Sequence, residues 1–240
     1  MIELKRIEPW VKAINAISSF ISEGNFRFND HGISFKAIDP SQIVLVNYSL
    51  PKTSFTEFKV EPNLVGIDLV ELNKIMQRVL PTDRMIMELS DSELGVTLDG
   101  EINRAFRLPL IDVSEEEINI PVTKFDSVIE INARILKEAL KDAALFGSSV
   151  VLRVKGTQLI IEARGSQGTL KTVAKQAKNV SVKSESEVVS KYSLSFLSNI
   201  IKEADPDSKI KLELKTDAPM KITYNIGDSV IQFHLAHMIL

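Results

Sequence analysis

Short runs of alternating apolar and polar residues recur along the chain. Phe26 and Phe28, then Ile33, Phe35 and Ala37, are each flanked by polar neighbours. That period of two predicts half-buried antiparallel strands. Asn29-Asp30-His31-Gly32 between them reads as a turn. The same alternation marks Met85, Met87 and Leu89, and again Ile210, Leu212 and Leu214. Four other stretches have the helical period, with apolar residues gathered on one face at about 100° per residue. In the first, around Trp10–Ile21, they are Trp10, Ile14, Ile17, Phe20 and Ile21; in the second, Leu69, Leu72, Ile75, Met76 and Val79. In the third, around Ala133–Phe146, they are Ile135, Leu136, Ala139, Leu140 and Ala143; in the fourth, Phe196, Leu197 and Ile200.

These patterns are written twice. Leu69 through Leu89 aligns with Leu194 through Leu214 at an offset of 125, apolar on apolar and Pro81 on Pro206. The earlier unit, a helix followed by two strands, recurs at nearly the same offset from Ala133 through Ala163. A duplication carrying two helices and several short strands per copy predicts an α+β fold with antiparallel sheets and helices on one side. The alternation of a parallel sheet is absent. The expected domains are residues 1–111 and 125–240, joined by an exposed connector over 112–124 that holds three successive Glu and Pro121.

Composition narrows the function classes. The chain has 240 residues and no cysteine, which removes disulfide scaffolds, cysteine nucleophiles and thiolate metal sites. A net charge of −3, from 29 Lys and Arg against 32 Asp and Glu, argues against a uniformly basic DNA-coating protein. The N-terminus lacks the apolar core of a signal peptide, and no stretch approaches the ~20 apolar residues of a membrane helix. The sequons at Asn47 and Asn179 therefore have no glycosylation context.

Charge is segregated by face. Lys12 lies opposite the first apolar stripe, and Lys74 and Arg78 share the far side of the second. Arg134, Lys137 and Lys141 cluster opposite the third, and Lys202 opposes the fourth. Each such residue alone is an ordinary solvated cation, and Glu71, Glu138, Asp142 and Glu203 are interleaved. As a set they make a positive surface if the four helices line one concavity, suited to phosphates and not to bases.

Several segments resemble the DNA sliding clamps of the proliferating cell nuclear antigen family, archaeal in type. They are Ala37-Ile38-Asp39-Pro40-Ser41-Gln42-Ile43-Val44-Leu45-Val46, with Gln42 where His is common; Gly66 through Met76; Asp99-Gly100 with Phe106 through Leu110; Asp112 through Pro121; Asp217-Ala218-Pro219; and Phe233-His234-Leu235-Ala236. Their order covers almost the whole chain.

The resemblance implies a ring-forming subunit of two similar clamp domains, with sheets outside and helices inside. Three subunits, identical or paralogous, would encircle double-stranded DNA without regard to sequence. Lys12, Lys74, Arg78, Arg134, Lys137, Lys141 and Lys202 are then the candidate DNA-facing cations. Subunits would join through Arg104, Phe106 and Leu108 on one edge and Thr169, Lys171 and Val173 on the other. DNA polymerase, clamp loader, nuclease and ligase would dock by short peptides in a groove matching Ile38, Ile43, Leu45, Ile118, Ile120, Pro219, Phe233 and Leu235. The resemblance implies no cofactor, no metal, no catalytic residue and no membrane. It implies an intracellular protein, in the cytoplasm or nucleoid of an archaeon or in a eukaryotic nucleus. The tail His237-Met238-Ile239-Leu240 departs from the family, which usually continues with Pro, a basic residue, an aliphatic and an acid.

Two rivals stand beside this reading. An enzyme would need machinery that is missing: there is no P-loop, no HExxH and no triad around the three histidines. A specialised subunit of a heterotrimeric clamp with restricted partners would carry the same motifs.

Overall fold

A computed structural model describes residues 1–114, 118 and 123–240. In chain order the elements are β1 (Ile2–Leu4), α1 (Ile7–Ser18), β2 (Glu23–Asn29), β3 (Gly32–Ile38), β4 (Val44–Pro51), β5 (Phe55–Phe58), β6 (Asn63–Asp68), α2 (Leu69–Met76), β7 (Arg84–Leu89), β8 (Glu93–Asp99) and β9 (Arg104–Pro109). There follow β10 (Ser127–Asn132), α3 (Ala133–Ala143), β11 (Ser149–Lys155), β12 (Gln158–Gly165), β13 (Gly168–Lys175), β14 (Val180–Ser184), β15 (Val188–Ser193), α4 (Leu194–Ile201), β16 (Lys209–Leu214), β17 (Met220–Ile226) and β18 (Ser229–Leu235). Each half thus repeats the other element for element. From α2 to α4, and from β7 to β16, the offset is 125.

The chain divides into two compact units. One comprises Met1–Pro40, Val46–Asn119 and Ile226–Ile231, the other Ser41–Leu45, Ile120–Asn225 and Gln232–Leu240.

In the first unit, β5-β1-β7-β8-β9 form an antiparallel sheet that ends at β9. The β2–β3 hairpin sets Phe26 opposite Phe35, with β6 on the other side of β2. α1 and α2 pack on each other and bury Trp10, Ile14, Ile17, Leu69, Leu72 and Met76. Trp10 meets Phe26 at 5.8 Å and Tyr48 at 6.3 Å, and Phe26 meets Phe35 at 4.8 Å, ring centre to ring centre. Gly24 is required here because a Cβ would sit 2.6 Å from the Phe35 ring. Asp68 caps α2 by accepting from the Glu71 amide at 2.9 Å.

In the second unit, β13-β12-β11-β15 form a sheet ending at β13, while β10 pairs with both β14 and β16. α3 and α4 pack together and bury Leu136, Leu140, Leu197 and Ile200. Asn132 caps α3 through the Arg134 amide at 3.0 Å.

The helices are shorter than periodicity predicts. α1 stops at Ser18, so Phe20 and Ile21 lie beyond it, and Arg78 and Val79 lie past the end of α2. Ile135 is also not part of the buried stripe of α3; it is exposed. Apolar spacing continues past a helix end whenever the following turn also covers the core, and periodicity alone cannot separate the two.

All three tyrosines of the chain, Tyr48, Tyr192 and Tyr224, are buried. Tyr224 donates to the Ile200 carbonyl at 2.6 Å and Tyr192 to the Ala218 carbonyl at 2.9 Å. Burial pushes the Tyr192 phenol up to about 12 and raises Tyr48 and Tyr224 as well. A folded-state pKa above the ordinary value near 10 means the unfolded chain loses the proton first. Stability from these phenols is therefore complete below about pH 10 and is lost as pH rises beyond it. The expected outcome is that ultraviolet absorbance shows no free tyrosinate until the chain unfolds. A smooth titration at the ordinary phenol pKa, with circular dichroism unchanged, would contradict the burial.

Candidate nucleic-acid interface and partner surfaces

The far faces of the helices carry cations, but most are matched to a nearby carboxylate. On α1, Lys12 pairs with Glu8 at 2.7 Å, one helical turn away. On α2, Lys74 pairs with Glu71 at 2.6 Å, and that hydrogen bond raises the Lys74 ammonium above its usual range. Lys141 pairs with Glu138 on α3 at 2.7 Å, and Arg134 reaches Asp207 at 2.7 Å. These pairs lie at the surface, where solvent screening leaves an ion pair contributing little to stability. A phosphate can take the place of such a carboxylate at little cost. Contacts of that kind are weak, independent of sequence and sensitive to salt.

Lys137 differs from its neighbours. It is half-buried, and its ammonium donates to the Lys202 carbonyl at 2.8 Å and the Ala204 carbonyl at 2.6 Å. Those carbonyls close the end of α4, where unpaired C=O groups concentrate negative potential. Lys137 thus ties α3 to α4, while Lys202 stands exposed at that helix end. The second unit brings Arg134, Lys137 and Lys141 onto α3, with Lys202 beside them across the α3–α4 contact. In the first unit Arg78 is exposed beyond α2, and its carbonyl accepts from Arg104 Nη1 at 2.7 Å.

The two proposed joint edges are both terminal strands of their sheets, β9 and β13. Side chains alternate along each. On β9, Arg104, Phe106 and Leu108 are half-buried while Ala105, Arg107 and Pro109 are exposed. On β13, Thr169, Lys171 and Val173 are exposed, whereas Leu170, Thr172 and Ala174 are half-buried. Arg104 is committed inside its own chain: its guanidinium binds the fully buried Asp83 carboxylate, which also accepts from the Leu80 amide at 2.7 Å. Sequence reasoning missed Asp83, since nothing local marks an acid 21 residues from its partner.

The groove candidates separate by exposure. Ile38 and Pro219 are exposed, and Ile43, Leu45 and Ile118 are half-buried. Phe233 and Leu235 are fully buried, so they belong to the core and offer no surface of their own. Phe233 stacks near Tyr224 with ring centres 6.2 Å apart. Ile120 lies outside the described residues. Lys36 holds the Ile118 carbonyl at 2.5 Å, and Asn25 donates to the Val113 carbonyl at 3.0 Å. The Ile111 amide donates to the Gly66 carbonyl at 3.0 Å, and a Cβ on Gly66 would lie 2.1 Å from the Ile111 oxygen. In the second unit the Ala236 amide donates to the Ile43 carbonyl at 2.9 Å. The Met238 amide donates to the Lys191 carbonyl at 2.7 Å, leaving Ile239 90% exposed. Tyr192, which the sequence reading did not single out, holds the loop leading to Pro219 through its bond to Ala218.

Among the described residues there is no cluster of three potential metal ligands. No helix among them is long and apolar enough to cross a membrane.

Residues 2–120 match the family described as proliferating cell nuclear antigen, N-terminal domain, and residues 119–239 match its C-terminal domain. Curated relatives named DNA polymerase sliding clamp include one from Pyrococcus furiosus, 30% identical over 92% of this chain and 90% of its own length. One from Methanococcus vannielii is 31% identical over 94% of this chain and 93% of its own. Among solved structures, a proliferating cell nuclear antigen from Thermococcus kodakaraensis superposes with a TM-score of 0.93 at 25% identity, covering 99% of this chain and 100% of the other. One from Entamoeba histolytica shares the fold, with a TM-score of 0.90 at 22% identity, covering 99% of this chain and 98% of the other.

The cations therefore divide into a structural lysine and exchangeable ones. Lys137→Ala should lower unfolding free energy by on the order of 1–3 kcal/mol, the cost of leaving the part-buried Ala204 carbonyl and the Lys202 carbonyl without their charged donor. Lys141→Glu and Lys202→Glu should each stay within about 0.5 kcal/mol of wild type. Denaturant titration of the three variants checks this; equal effects at Lys137 and Lys202 would refute the division.

Proposed function

We propose that this chain, which belongs to the proliferating cell nuclear antigen family, serves as a subunit of a DNA polymerase sliding clamp. The carrying observation is the full-length match, together with a duplicated fold that leaves a terminal strand, β9 or β13, on each unit. Three subunits close head to tail by pairing β9 of one with β13 of the next. A heterologous contact of this kind forms a ring when the rotation closes. It also covers sheet edges that would otherwise invite misassembly.

The reading requires no catalytic group in the chain. A closed ring is retained on duplex DNA by topology, so its inner surface needs only weak phosphate contacts. Exchangeable pairs such as Lys12–Glu8, Lys74–Glu71 and Lys141–Glu138 suit that need. Each cation passes between a carboxylate on its own helix and a passing phosphate, and no single contact anchors the ring. Tight, unshared cations would resist sliding.

Polymerase and other replication proteins then bind outside through apolar peptide segments. Ile38, Ile43, Leu45, Ile118 and Pro219 are the accessible members of the proposed set, whereas Phe233 and Leu235 are buried. On the connector, Ile111, Val113 and Ile118 are held by backbone contacts to Gly66, Asn25 and Lys36.

The protein, loaded onto nicked circular plasmid by a clamp loader with ATP, should stay bound through gel filtration at about 0.3 M salt, where phosphate contacts alone are lost. Linearising the plasmid should release it. Retention that is the same on circular and linear DNA would overturn encirclement.

A further inference from the structure

The outward face of β10, β16 and β17 carries a cavity that neither DNA nor a partner peptide uses in the arrangement above. β16 lies between the other two strands, with Glu130 opposite Lys211 and Lys211 opposite Thr223. The intervening residues Ile129, Ile131, Ile210, Leu212, Ile222 and Tyr224 are buried. Glu130, Lys211 and Thr223 therefore form one row on the face turned away from the core. A cavity of about 310 Å³ opens there, and Glu130, Ser208, Lys209, Lys211, Thr223 and Asn225 help to line it. All of these residues lie within the second unit, and none is among the DNA-facing or groove candidates.

Two features of the wall favour an anion. The lysines outnumber the carboxylates that serve them. Lys209 stands 3.8 Å from Glu130, while Glu213 divides its two oxygens between Lys211 and Lys221, each 3.3 Å away. Three ammonium groups thus share two carboxylates, and the Asp207 carboxylate nearby in sequence is taken by Arg134 at 2.7 Å. The second feature is Thr223. Its Oγ1 is buried and has no hydrogen-bond partner among the described residues. An unmatched buried hydroxyl costs free energy, which an acceptor in the cavity would recover. The Ser208 and Tyr224 hydroxyls are already spent, on the Asp205 carbonyl at 2.8 Å and the Ile200 carbonyl at 2.6 Å.

The donors and the one acceptor select the ligand. Lysine serves a phosphoryl oxygen as a point charge on a flexible stem, and a charge-assisted bond of this kind is strong. Glu130 accepts only, so it repels a bare anion but takes a hydroxyl from a ligand that carries one. The volume is at the lower end of the range for small-molecule sites, with room for more than a single ion. We infer that this cavity binds a small phosphate ester bearing free hydroxyl groups. Lys209, Lys211 and Thr223 hold its phosphoryl oxygens, and Glu130 holds a hydroxyl. The site goes beyond the clamp reading and does not depend on it.

Isothermal titration calorimetry of the full chain with ribose 5-phosphate, inorganic phosphate and ribose tests this. Ribose 5-phosphate should bind once per chain with a dissociation constant on the order of 1 mM or tighter. Inorganic phosphate should bind at least about tenfold more weakly, and ribose more weakly still. Thr223→Val and Lys211→Met should each weaken the ester at least about tenfold, whereas Thr223→Ser, which keeps the hydroxyl, should bind as wild type does. Glu130→Gln removes a repelling carboxylate, so it should tighten inorganic phosphate and narrow its gap to the ester. Lys141→Glu, on α3, should change nothing. Circular dichroism checks that each variant folds, and Lys211→Met carries the test if Thr223→Val does not. No binding of the ester at about 10 mM, inorganic phosphate bound as tightly as the ester, or a gap that Glu130→Gln leaves unchanged would each overturn the inference. So would binding that survives both Thr223→Val and Lys211→Met, or that Lys141→Glu abolishes, since the anion would then sit elsewhere.

Discussion

Each helix buries an apolar stripe against a sheet, and that burial decides what remains for function. Fixing Ile14 and Ile17, Leu69 and Leu72, Leu136 and Leu140, or Leu197 and Ile200 in the core turns the opposite face of each helix to water. Charged residues are the inexpensive occupants there. Because the chain is duplicated, the same solution is reached twice, and cations appear on every helix or at its end. The sheets face the same constraint at their margins. β9 and β13 expose unpaired backbone groups, and the side chains around them must favour a partner or forbid one.

Buried polar ties set the tolerance of this arrangement. Lys137 at the end of α4, Tyr224 on the Ile200 carbonyl, Tyr192 on the Ala218 carbonyl and Arg104 on Asp83 each satisfy groups that would be costly to bury alone. They join segments distant in sequence. A residue chosen as functional because it is cationic can thus be a fastening, as Lys137 is, while Lys141, about one helical turn further along α3, pairs only with Glu138 at the surface. The −3 net charge is compatible with DNA binding on these terms, because sign is distributed by surface and most of the helix cations share carboxylates.

Much of the fold was legible in the sequence because its causes are local. A period of two marks strands, a period near 3.6 marks helices, and an offset of 125 places α2 over α4 and β7 over β16. What local pattern does not show is where covering the core stops being helical, as at Arg78 and Val79 beyond the end of α2. It also could not tell a wall from a floor. Phe233 and Leu235 sit on alternating positions of a strand whose inner face is sealed, while Pro219 projects from a loop. The Arg104–Asp83 pair and the carbonyls under Lys137 depend on chain segments meeting in space, and no spacing rule encodes that.

The placement of aromatic residues has a practical consequence. The chain's one tryptophan, Trp10, is sealed in the first unit beside Phe26 and Tyr48, whereas Tyr192 and Tyr224 belong to the second. Indole emission therefore reports on one unit alone, and two of the three phenols report on the other. The molecule carries separate optical gauges for its two halves. Whether the duplicated domains melt as one body or in succession can be read from the unlabelled protein by recording both signals in a single heating run.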